Sequence, residues 1–328
     1  MKTRQLGKHG PRVSALGLGC MGLGGCYGSA RDSSAMERLL AEAVELGVTF
    51  FDTAEAYGPF LNEELLGRAL APFRGRVVIA TKFGLRIENG AVTGLDSDPR
   101  SIRASVEGSL QRLRLECIDL IYQHRVDPRI PMEDVAGTVG ELIAEGKVRF
   151  FGLSEPGLGS LRRAHAVCPV AAVQNEYSLW WRRPEEGQLD ILAAMGIGLV
   201  PFSPLGRGYL SGQLSPETGL ARRDLRNSFP RFTGEAMRAN RALIDALAPI
   251  ATERGCTLSQ LALAWLLSRG PEIVPIPCTT SGAHLRENLK AAELVLSRED
   301  LERMDAVLAA TPVVGARYSP EQEAQTGR

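Results

Sequence analysis

Four side chains with acid–base chemistry stand at the ends of consecutive β-like runs. Asp52 closes Val48–Asp52, Tyr57 follows five residues on, Lys82 closes Arg76–Lys82 and His124 closes Cys117–His124. An aspartate and a lysine on neighbouring strands can form an ion pair. A cation held against a phenol favours the phenolate, so Lys82 is expected to lower the Tyr57 pKa from its free value of about 10. Moving a pKa by one costs about 1.4 kcal/mol, which demands a close, poorly solvated charge. Tyr57 would then act as a general acid toward a carbonyl oxygen, or as a base toward an alcohol in reverse. A neutral His124 would hydrogen-bond the same oxygen and orient the substrate. Taken singly, a loop tyrosine packs, a strand-end Asp–Lys pair is a structural salt bridge, and a half-buried histidine is a satisfied one. The joint arrangement at matching strand ends is what points to chemistry.

Such groups need a scaffold that brings strand ends to one place. Eight short apolar runs alternate with longer helical patterns: Val13–Gly19, Val48–Asp52, Arg76–Lys82, Cys117–His124, Lys147–Ser154, Val170–Gln174, Gly198–Ser203 and Glu272–Ile276. Near-continuous apolar runs fit parallel strands covered on both faces. Met36, Leu39, Leu40, Ala43 and Val44 share one helical face, as do Ile102, Val106, Leu110 and Leu113, and again Leu258, Leu261, Ala262, Trp265 and Leu266. The alternation predicts βαβ units around a parallel sheet. Eight strands in 328 residues fit an α/β fold closed as a (β/α)8 TIM barrel, with a doubly wound open sheet as its rival. Active sites of such barrels lie at the C-terminal strand ends. Residues 1–15 read as an N-terminal β-hairpin that could plug the barrel bottom. Residues 205–240 read as a long, structureless loop of the kind that is often functional, and 312–328 as a C-terminal tail. No low-complexity linker divides the chain, so 1–328 is expected to form a single domain.

Composition narrows the function classes. Lys plus Arg equals Asp plus Glu at 38 each, and a net charge of zero argues against nucleic-acid or acidic-membrane partners. The six cysteines form no C-x-x-C pair and no zinc pattern, as expected of reduced thiols in a cytoplasmic protein. The start Met1-Lys-Thr-Arg-Gln lacks a signal-peptide run, and no segment is apolar enough to span a membrane. His9, His124, His165 and His284 show no ligand spacing, which disfavours a metal-dependent hydrolase; no metal is expected. Gly17-Leu-Gly-Cys-Met-Gly22 is a literal G-x-G-x-x-G after a strand. A dinucleotide fingerprint needs its third glycine to open a helix, and here a helix starts only near Ser33 or Ser34. The glycines are expected instead to let a loop at the barrel mouth approach a ligand closely.

The ordered motifs resemble the aldo-keto reductase family across residues 3–312. They are Asp52-Thr-Ala-Glu-Ala-Tyr57-Gly58, Thr81-Lys82, Asp119–His124, Gly146–Ser154, Val173–Tyr177, Pro201–Gly206 and Leu285–Asn288. Within the family the chain is most similar to bacterial, monomer-like members with a long seventh-strand loop. The resemblance implies reduction of aldehydes or ketones to alcohols with NADP(H), with NAD(H) second, by a monomer or weak homo-oligomer. It assigns Asp52, Tyr57, Lys82 and His124 to the catalytic tetrad, and Ser154 and Gln174 to the nicotinamide carboxamide. It assigns Phe202 to stacking on the nicotinamide ring, and Ser203, Leu205, Gly206 and Arg207 to the pyrophosphate. Ser281 and His284 match positions that contact the 2′-phosphate, and Glu287 and Asn288 match adenine contacts. The sequence departs from the family at Glu155, where asparagine is usual, and at Cys278, Thr280, Ser281 and His284, where glycine or cations are common. Arg286 is a further candidate for the phosphate. Tyr27, Phe83 and Trp180 or Trp181 follow strand ends and are candidates for an aromatic substrate pocket. The alternative function is a cofactor-sensing regulatory subunit that retains the barrel.

Overall fold

The computed structural model describes residues 1–27, 32–217 and 219–327. Thr218 of the long loop and Arg328 of the tail lie outside the described residues. In chain order the strands are β1 (Thr3–Gln5), β2 (Arg12–Ser14), β3 (Leu18–Gly19), β4 (Phe50–Asp52), β5 (Val78–Phe83), β6 (Leu85–Glu88), β7 (Ala91–Leu95), β8 (Ile118–Gln123), β9 (Val148–Ser154), β10 (Val170–Glu176) and β11 (Gly198–Phe202). The helices that matter for the site are α1 (Ser33–Glu45), α2 (Leu61–Ala69) and α3 (Pro99–Leu113), then α4 (Met132–Ala144), α5 (Leu158–Val167) and α6 (Gln188–Met195). After these come α7 (Gly234–Glu253), α8 (Leu258–Ser268) and α9 (Gly282–Leu289).

Seven strands form one sheet in the order β3-β4-β5-β8-β9-β10-β11, and all of its pairings are parallel. The expected eighth strand, Glu272–Ile276, is not a regular ladder. It makes a single parallel bridge, Leu199 to Ile273. It still closes the wall of a (β/α)8 barrel. The Val274 and Ile276 N–H groups donate to Leu199 and Pro201 on one side, at 2.9 and 3.1 Å. On the other side, Gly17 and Gly19 donate to the Pro275 and Pro277 carbonyls, at 3.0 and 3.2 Å. Prolines at 275 and 277 have no N–H to return, which is why the ladder is incomplete.

Period 2 decides what fills the lumen. Phe50, Ala80, Leu120, Tyr122, Ala172, Val200, Val274 and Ile276 pack inside it, and Leu6 and Val13 of the β1–β2 hairpin plug its floor. Phe51, Ile79 and Ile121 point the other way, into the layer shared with the helices. The run expected at Val13–Gly19 is therefore split: its start belongs to the plug and only Leu18–Gly19 belongs to the barrel. One glycine is required by this packing. A Cβ on Gly152 would lie 2.4 Å from the Tyr122 ring.

Two segments differ from expectation. The antiparallel β6–β7 hairpin turns at Asn89-Gly90, both at positive φ, the conformations an Asn-Gly hairpin turn needs. The loop expected to be structureless contains three short 3₁₀ turns, Gly206–Ser211, Leu225–Ser228 and Pro230–Phe232, and α7 begins at Gly234. Burial of Tyr209, Leu210, Phe229 and Phe232 offsets the entropy of ordering it.

Candidate active site

Continuing the inward register by two residues puts Asp52 above Phe50, Lys82 above Ala80, His124 above Tyr122, Gln174 above Ala172 and Phe202 above Val200. The Lys82 ammonium has three donors, and all are committed. Nζ donates to Asp52 Oδ1 at 2.5 Å, to the Thr53 carbonyl at 2.7 Å and to the Tyr57 hydroxyl at 3.2 Å. Gln174 Nε2 donates to the other Asp52 oxygen at 2.6 Å. The Tyr57 and His124 rings meet edge to face, with centroids 5.9 Å apart. The His124 backbone N–H donates to the Phe83 carbonyl at 2.8 Å, while its imidazole Nδ1 has no partner among the described residues.

The electrostatics correct one expectation. The Tyr57 pKa is raised, not lowered. Burial of the phenol outweighs the pull of Lys82, whose charge is shared with Asp52, so the hydroxyl keeps its proton at neutral pH. Burial alone would lower the Lys82 pKa, but Asp52 and Tyr57 hold it above the ordinary lysine range. Burial pushes the Asp52 carboxyl up, against Lys82 and Gln174. Burial, with Arg125 and Lys82, holds the His124 imidazole well below its usual range and therefore neutral.

These groups open into a cleft of about 410 Å³, within the range of small-molecule sites. Of the residues expected to contact a ligand, Asp52, Tyr57, His124, Ser154, Gln174, Phe202, Ser203, Leu205, Arg207, His284 and Tyr27 line it. Glu287 and Asn288 line an adjoining lobe of about 190 Å³ that shares Leu205, Cys278, Thr279 and His284 with the cleft. Ser154 and Gln174 are register partners on β9 and β10.

Other expected residues stand elsewhere. Lys82 sits behind Tyr57. Ser281 caps α9, accepting from the His284 N–H. Gly206 lies against Trp180, whose ring a Cβ there would meet at 2.7 Å. Arg286 is engaged by Glu42 of α1, which takes it away from a phosphate role. Phe83 is fully buried in the layer between sheet and helices. It follows inward-pointing Lys82 by one residue, so it must point outward. Trp180 stacks on Tyr209, and neither it nor Trp181 lines the cleft; both border a separate outer groove. Gly19 and Gly22 line the cleft, but their missing side chains make room for the chain itself: a Cβ would lie 2.8 Å from the Ile276 carbonyl oxygen and 2.7 Å from Cys278 Sγ, respectively. Among the described residues, no group of His, Cys, Asp and Glu is placed to hold a metal. Among the described residues, no helix is long and apolar enough to cross a membrane.

The residues that sequence reasoning missed lie in the tail and beside His124. Glu155, at φ 52°, turns its carboxylate away from the cleft and receives both Nη atoms of Arg317, at 2.9 and 2.7 Å. Glu176 sits among Arg207, Arg231 and Arg317, at 3.9, 3.8 and 3.7 Å. This network docks the tail so that Tyr318 lines the cleft. Arg125, directly after His124, also faces the cleft. Its adjacency to His124 was the available signal. Arg317 had none, lying 162 residues from its partner.

Comparison with known proteins agrees with this geometry. The aldo/keto reductase family model matches residues 15–309. The chain is 40% identical over 315 residues to a probable aldo-keto reductase of Glycine max, covering 96% of this chain and 91% of that protein. Its fold superposes on a glycerol dehydrogenase of Gluconobacter oxydans with a TM-score of 0.87 at 28% identity, covering 97% and 98% of the two chains. It also superposes on a thermostable aldo-keto reductase solved with the inhibitor epalrestat, with a TM-score of 0.74 at 32% identity and coverage of 94% and 100%. On barrel, strand-end site and near-complete matches alike, the chain belongs to the aldo/keto reductase family, a family of carbonyl-reducing oxidoreductases.

Proposed function

We propose that this protein is an NADP(H)-dependent reductase of aldehydes or ketones in which Tyr57 supplies the proton. The observation that carries this reading is the saturated Lys82 ammonium, buried 3.2 Å behind the hydroxyl of Tyr57, which itself lines the cleft. The residues present fit a nicotinamide dinucleotide. The cleft and its lobe run from Tyr57 to the N-terminus of α9, and the Arg207 guanidinium and helix N–H groups suit phosphate oxygens. A bound nicotinamide supplies the hydride.

The chain's own residues handle the proton and the orientation. Tyr57, protonated at neutral pH, donates its O–H to the carbonyl oxygen, and Lys82 stabilises the phenolate as it forms. Asp52 holds the ammonium in place, and the Thr53 carbonyl takes a second of its protons. Neutral His124 hydrogen-bonds the same substrate oxygen without competing as an acid. Ser154, Gln174 and Phe202 hold the nicotinamide end, and His284, Glu287 and Asn288 the adenosine end, with Ser281 capping the helix that presents them. The preference for NADP(H) over NAD(H) rests on the family and on the polar α9 N-terminus.

The test is NADPH oxidation with 4-nitrobenzaldehyde. Tyr57→Phe is expected to reduce turnover by about 10²–10⁴-fold while NADPH still quenches tryptophan fluorescence. Normal turnover by that variant would overturn the assignment.

A further inference from the structure

Among the described residues three arginines line the cleft, and two are already engaged. Arg226 makes a two-pronged contact with Asp224, at 3.0 and 2.7 Å. Arg207 lies 3.9 Å from Glu176 with its guanidinium over Phe229. Arg125 differs. Its Nη1 donates to the His124 carbonyl at 2.6 Å and to Ser154 Oγ at 3.1 Å. Among the described residues, its Nε and Nη2 have no hydrogen-bond partner and no carboxylate stands at ion-pair distance. These two donors are not sealed inside the protein but open onto the cleft, where an entering acceptor can reach them. The planar fork of the guanidinium suits the two oxygens of a carboxylate.

The position gives that opening a meaning. Arg125 follows His124 in sequence and shares the cleft wall with Tyr57 and Ser154. Its charge is felt by both Tyr57 and His124. The two engaged arginines belong to the segment after β11, whereas Arg125 stands at the end of β8 beside the proton donor. A charge there meets whatever is bonded to the reacting carbonyl. We infer that Arg125 selects carbonyl substrates bearing a carboxylate a few bonds from the reacting carbon. This rests on the reductase reading above and names its substrate class.

The experiment compares 4-oxobutanoate with pentanal, an uncharged aldehyde of similar length, under NADPH. The wild-type protein is expected to favour the anion in kcat/KM. Arg125→Met should lower the ratio of the two by about ten- to a hundredfold, mainly through KM for 4-oxobutanoate. Arg125→Lys should restore part of it, because an ammonium keeps the charge without the fork. The ratio cancels any loss common to both aldehydes. Independently of any variant, butyrate should compete with pentanal in the wild-type protein, and butyramide should not.

Turnover of pentanal with no preference for 4-oxobutanoate, or no competition by butyrate, overturns this inference alone. So does an Arg125→Met variant that keeps the substrate ratio but binds NADPH more weakly, which would give the cation to the cofactor. Turnover of neither aldehyde overturns the reductase reading as well.

Discussion

Two ion pairs in this molecule are almost equally buried and yet are held in different ways. Lys82 and Asp52 have side chains 1% and 3% exposed, and Arg317 and Glu155 have 2% and 6%. The first pair joins neighbouring strands β5 and β4, where backbone register places the two groups together. The second joins the end of β9 to the C-terminal tail, where side chains do the placing. The strand pair can separate only if the barrel comes apart. The tail pair can separate by local opening, so its loss is capped by the free energy of undocking the tail. The proposed catalytic group sits on the part that cannot give way, and one wall of the cleft sits on the part that can.

The strand-held pair is tested most forcefully at Lys82. Lys82→Met leaves the Asp52 carboxylate buried and unpaired, and should cost about 3–5 kcal/mol in urea unfolding, together with most turnover. A loss near that of a surface pair would mean that the barrel does not enforce this contact. Next in size is the tail. Arg317→Met strands Glu155 and leaves Glu176 with two of its three arginines, and it should cost less global stability than Lys82→Met. Its main signature should be faster proteolysis after residue 310 and a larger change in KM than in kcat, since Tyr318 leaves the cleft wall. Adding Glu155→Gln should recover part of the loss, because the two changes share one interaction. Strict additivity would count against the pairing.

The smallest effect is in pH. His124 is neutral in the folded protein because burial, aided by Arg125 and Lys82, holds its pKa far below 6.5. The unfolded chain takes up that proton below about pH 6.5 and the folded one does not, so stability falls as the pH drops through that region. By the same argument, kcat/KM should show no histidine inflection between about pH 6 and 7. A clear inflection there would mean that the imidazole is better hydrated than its burial implies.

Much of the site was legible because strands have a period of two and barrels have a mouth. Asp52, Lys82 and His124 could be read as convergent from strand ends alone, and Phe83 could have been rejected by the same parity. Trp180 and Trp181 were misread for a different reason. Beyond the strand end the chain path is irregular, so closeness in sequence to β10 carries no direction. The sign of the Tyr57 shift was also out of reach, because a sequence supplies the neighbouring charge but not the depth of burial that opposes it. Glu155 was noticed only as a departure from the family. Its role required Arg317, a residue with no local pattern to announce it.

The segment at 272–277 has a mechanical consequence. Elsewhere around the wall each strand is stitched to the next by a parallel ladder. Against β3 this segment offers only carbonyls, and receives the amides of Gly17 and Gly19. A cylinder sewn this way has a compliant meridian. Gly19, Ile276, Pro277 and Cys278 lie along it and also line the cleft, so a long ligand entering the mouth would meet the least fully laddered part of the wall. The Gly17 and Gly19 amides should accordingly exchange with solvent sooner than those of β5 and β8.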